Sequence, residues 1–71
     1  MNKQTYKATL KKSIGLQTVV TSNHKREVSN WLQHEMIEYN IKWDSFEKHP
    51  TKEGHFIASN GGITLETNYK I

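Results

Sequence analysis

The chain has 71 residues, 24% of them charged, with one Pro, no Cys and a formal net charge of +3. Such a length holds one domain, 1–71, and a domain this small buries only about 60% of the surface its unfolded form exposes, so its stability is marginal and gains from self-association. Zero Cys excludes a disulfide framework and any thiolate metal site, which fits a reducing, cytoplasmic setting; the opening residues lack the apolar h-region of a signal peptide, and no apolar run is long enough for a membrane helix.

Tyr6, Ala8 and Leu10 alternate with Lys7, Thr9 and Lys11, the period-two pattern of a strand with one apolar and one basic face. Ser13-Ile14-Gly15 reads as a turn. Leu16–Thr21 reads as a second strand rich in β-branched residues, completing a hairpin. Its inward face is open between Leu16/Thr18/Val20 and Gln17/Val19/Thr21. Ser22-Asn23 marks a helix start with Asn23 at the cap. The helix runs to about Tyr39, with Asn40 as a left-handed terminator. Steps of 100° gather Val28, Trp31, Leu32, Met36 and Tyr39 on one side. Glu35 falls inside that stripe and Ile37 opposite it.

Ile41–Lys48 reads as a third strand in which Phe46 is out of phase with Ile41 and Trp43, as at a bulge or an edge. Phe46 is therefore expected on the uncovered face. His49–Gly54, with Pro50, is a loop. The clearest segment is the final hairpin. Asn60-Gly61 suits a type I′ turn, which would set Ala58 opposite Ile63, Phe56 opposite Leu65 and His55 opposite Glu66. Strict alternation continues through Leu65, Thr67, Tyr69 and Ile71. Together these segments predict an α+β fold of order ββαβββ: a single helix packed on one face of a mostly antiparallel sheet of four to five strands, the other face bare.

Motifs for chemistry are sparse. His49 and His55 flank a loop near Asp44, Glu47 and Glu53, but no HxxxH, HExxH or HxH spacing occurs, so no metal is expected. No nucleophile sits in a GxSxG context, and the acidic residues form no obvious pair. The one catalytic alternative is a small nuclease using His24 or His55. Gly61-Gly62 lacks the helix, Lys and Ser/Thr of a phosphate loop. No enzyme activity and no cofactor are expected.

Two groups remain as contact candidates. Lys7 and Lys11 share the outer face of the first strand, with Lys3 extending the row, while Lys25 and Arg26 occupy the first helical turn, where positive charge opposes the helix dipole. These four are candidates for anion or nucleic-acid contact. Phe46, Ile57 and Ile37 are the apolar residues expected outside the core, as candidates for protein contact. The resulting expectation is a small non-enzymatic binding protein that docks its bare sheet face or an edge strand onto a protein partner or its own copy as a homodimer. In length and one-helix-on-a-sheet architecture it resembles small phage- or prophage-encoded inhibitors, some anti-CRISPR proteins among them; that resemblance implies an inhibitor or modulator. A nucleic-acid-binding protein using the basic residues is the alternative.

Overall fold

The computed structural model describes residues 4–70. Its elements are β1 (Tyr6–Lys12), β2 (Gln17–Ser22), α1 (Lys25–Glu38), a 3-10 turn at Trp43–Ser45, β3 (Glu47–Lys48), β4 (Phe56–Asn60) and β5 (Ile63–Thr67). The five strands form one sheet in the order β2-β1-β5-β4-β3, with every pairing antiparallel. The expected ββαβββ architecture with one helix-covered face is therefore present. Lys3 and Ile71, which extended the basic row and the last alternation, lie outside the described residues.

Alternation decides the layers. Ala8, Leu10, Ala58, Leu65 and Thr67 turn inward from β1, β4 and β5 and are buried. Val28, Leu32 and Met36 supply the facing stripe of α1, at the four-residue spacing that keeps side chains on one helix face. Each fully buried Leu or Val contributes about 1.5–3 kcal/mol relative to exposure. Pairing settles the ambiguous second strand. Ala8 lies opposite Val20 and Thr9 opposite Val19, so Val20 packs against the core while Val19 joins the bare face.

The helix stops as the sequence indicates. Asn40 takes φ 58°, and Ile41 N–H donates to Met36 C=O at 2.9 Å while Asn40 N–H reaches Ile37 C=O at 3.4 Å, the Schellman pattern. Met36 and Ile41, the hydrophobic pair of that motif, are both buried. The start differs from expectation. The cap position is His24, not Asn23, and it makes no side-chain capping bond. Ser22 does that work from two residues upstream: its hydroxyl accepts from His24 N–H at 3.0 Å and donates to the Glu27 carboxylate.

Three further expectations are corrected. Ile41–Lys48 is not a strand throughout. The Schellman turn draws Ile41 into the core, the 3-10 turn follows, and only Glu47–Lys48 pairs with β4. Phe46 consequently packs against the helix-side core rather than the bare face. The β4–β5 turn residues are Gly61 and Gly62, both at positive φ, not Asn60 and Gly61. Ala58 thus opposes Leu65, and Phe56 opposes Thr67. The slip is two residues, so every side chain keeps its predicted face.

Candidate functional site

The two faces and two edges of the sheet offer different chemistry. The bare face is mostly polar: Lys7, Thr9, Lys11, Gln17, Thr64, Glu66 and His55 line a shallow depression of about 160 Å³ across β1, β2 and β5. Val19, Thr9, Glu66, Ile57 and Glu47 form one cross-strand row, so Thr9 and Glu66 separate the apolar Val19 from Ile57. With Phe46 in the core and Ile37 on the outer side of α1, 73% exposed, the three apolar contact candidates form no common patch.

The basic candidates are divided as well. Lys7 and Lys11 stand on the bare face. Lys25 and Arg26 lie with Tyr6, Asn23, His24 and Glu27 at the start of α1, and Lys25 Nζ sits 5.6 Å from the centre of the Tyr69 ring in the helix layer. The sheet therefore separates the two pairs.

One charged cluster does assemble. Glu66 Oε2 accepts a hydrogen bond from His55 Nδ1 at 3.1 Å and lies 3.5 Å from Lys52 Nζ, while Oε1 is 3.9 Å from His49 Nε2. His49 Nδ1 accepts from the backbone N–H groups of both Thr51 and Lys52 at 3.1 Å, so its ring proton resides on Nε2, facing Glu66. Burial raises the Glu66 pKa, but the His55 hydrogen bond and the Lys52 charge outweigh it, and the carboxyl titrates below its ordinary value. The cluster clips the His49–Gly54 loop onto β5. Lys52 already supplies a cation to that carboxylate, and among the described residues no group of three or more His, Asp or Glu side chains converges to hold a metal ion. His24, the other catalytic candidate, lies at the helix start, away from this cluster. Glu35 is half-buried and has no ion pair among the described residues.

The outer edge of β2 stands apart. The β1–β2 connection is a type I turn closed by a bulge: Gly15 takes φ 97°, Gly15 N–H donates to Lys12 C=O at 2.9 Å, and Lys12 N–H donates to Leu16 C=O at 2.8 Å. Antiparallel pairs alternate between bonded and non-bonded. Counted from Lys12–Leu16, Thr18, Val20 and Ser22 bond to β1, whereas Gln17, Val19 and Thr21 turn their N–H and C=O groups outward. Lys7, opposite Thr21, agrees: its N–H donates to Asn68 Oδ1 and its C=O accepts from Asn68 N–H, both on the β5 side. No hydrogen bond covers the outward groups of Gln17, Val19 or Thr21 among the described residues.

Edges of this kind are normally blunted by charge, proline or a bulge. Here the β1–β2 register runs from Tyr6–Ser22 to Lys11–Gln17 without interruption, and no Asp, Glu, Lys, Arg or Pro occurs from Ser13 to Asn23. The same stretch carries Ile14, Leu16 and Val19 exposed at 77%, 60% and 45%. Ile14 and Leu16 were not among the sequence candidates. Their signal, a neutral stretch in a chain that is 24% charged, is visible in the sequence, but its position at a free edge depends on strand order.

No protein-family model, curated protein or solved structure matches the chain. Among the described residues, no helix is long and apolar enough to cross a membrane.

Proposed function

We propose that this chain is a non-enzymatic binding protein that takes an extended protein segment onto the free edge of β2. The observation that carries this reading is the combination at one edge of outward backbone groups at Gln17, Val19 and Thr21, an unbroken register, and a sequence without charge. Main-chain hydrogen bonds would supply affinity, and contacts with Leu16 and Val19 would supply selectivity for uncharged, β-branched partner strands. The polar bare face, the divided lysines and the dispersed apolar candidates give less support to docking through the sheet face or to a nucleic-acid partner.

Selection from a displayed random-peptide library on the immobilised chain tests the reading. Extended, uncharged peptides should emerge, and their binding should be lost in Val19→Pro, which removes an outward donor at a position where an edge strand tolerates proline. Peptides that bind Val19→Pro undiminished would refute it. A mobility shift with oligonucleotides that weakens steeply with salt and disappears in Lys7→Ala/Lys11→Ala would favour the nucleic-acid alternative instead.

A further inference from the structure

We infer that the strand taken by β2 is β2 of a second copy, giving a symmetric dimer with a continuous sheet. This inference rests on the reading of β2 as a docking edge and names its occupant.

The register follows from the outward groups. A two-fold axis through Val19, perpendicular to the sheet, sets Val19 opposite Val19 of the second copy and Gln17 opposite its Thr21. Every outward N–H then meets an outward C=O. Centring the axis on Val20 would instead place Gln17 opposite Asn23, beyond the end of the strand. With the axis at Val19, side chains that share a face meet: Thr18 opposes Val20 in the helix layer, Leu16 opposes Ser22, and the Val19 pair covers surface that is 45% exposed in one copy.

Charge selects the occupant. Each copy carries +3, so close approach through the surfaces holding Lys7 and Lys11 or Lys25 and Arg26 is repulsive. The edge from Ser13 to Asn23 brings no charged side chain against another. A charged partner would gain nothing there, whereas a copy of the same neutral strand is complementary to it. The exposed Leu16 at one end, opposite Ser22 of the second copy, adds apolar area that the pairing covers. A domain this small also benefits from extending its sheet.

Sedimentation equilibrium of the full chain across a wide concentration range, paired with amide hydrogen exchange, tests the inference. Twice the 8.3 kDa chain mass is expected at high concentration, with the Gln17, Val19 and Thr21 amides gaining protection as concentration rises. Val19→Pro should weaken dimerisation by about tenfold or more, since symmetry removes each lost donor twice. Val19→Lys, which leaves the backbone intact and sets two ammonium groups face to face, should do the same. Unchanged circular dichroism establishes that both variants fold. A chain that stays monomeric at every concentration overturns self-pairing but leaves the peptide selection to decide whether β2 docks another protein. A dimer that persists unweakened in both variants overturns self-pairing through β2.

Discussion

The two edges of the sheet are built on opposite terms. At one edge β3 pairs for only Glu47 and Lys48, with a 3-10 turn before it and Pro50 after it. The His49–Gly54 loop that follows is held down on the sheet by Glu66. At the other edge β2 runs six residues, neutral and unbulged, with outward groups unused among the described residues. Short strands, charge and proline are the ordinary means of preventing edge-to-edge association. One edge of this molecule has all three and the other has none, and that difference is the ground for proposing β2 as the docking edge.

The largest test of this contrast lies between the edges. Leu65 is fully buried at the sheet centre, and Leu65→Ala should cost about 2–5 kcal/mol in denaturant titrations. Because β5 supports both halves, amides of β2 and β4 should lose protection together. Loss confined to one side would mean that the edges belong to separate cooperative units.

A smaller change separates them. Gly15 holds φ 97° with open space around it, so Gly15→Ala should cost about 1–2 kcal/mol through backbone strain alone. Exchange should accelerate first in β2, with β3 and β4 little affected. Equal acceleration in β4 would show that the β2 edge is not independently adjustable.

The smallest effect belongs to the blunted edge. At neutral pH, Glu66→Gln should change stability by less than about 1 kcal/mol, as expected for partly exposed ion pairs. Its signature is pH dependence. A carboxyl with a depressed folded pKa contributes stability that is fully present above its ordinary value of 4.5 and is lost as pH falls through the lower folded value. The wild-type chain should therefore lose this increment on acidification below about pH 4.5, and Glu66→Gln should lack that part of the slope. Identical acid-side profiles would remove Glu66 as the clip.

Much of this architecture was legible from residue pattern. The alternation in β1 and β5, the Val28–Leu32–Met36 stripe and Asn40 as terminator all reflect local physics that tertiary context did not override. The β4–β5 register was not legible, because Asn60-Gly61 and Gly61-Gly62 both satisfy a turn needing positive φ twice. Preserved parity nevertheless kept His55 and Glu66 on one face and within hydrogen-bonding reach. The supposed third strand failed where Phe46 broke phase, since Ile41 answers to the helix terminus rather than to a strand. The free edge was the least accessible feature. The neutrality of Ser13–Asn23 is plain in the sequence, but nothing local says that β1 spends its other side on β5 and leaves β2 outermost.

That central β1–β5 pairing has a consequence for synthesis. Lys7 and Asn68, which extend it beyond the end of β5, are 61 residues apart along the chain, so a ribosome must release nearly the whole sequence before the middle of the sheet can close. Until then the first hairpin, even with α1 laid over it, has both flanks bare. A nascent polypeptide in that state is most vulnerable to tangling with its neighbours, and its yield in cells should depend on how quickly translation finishes.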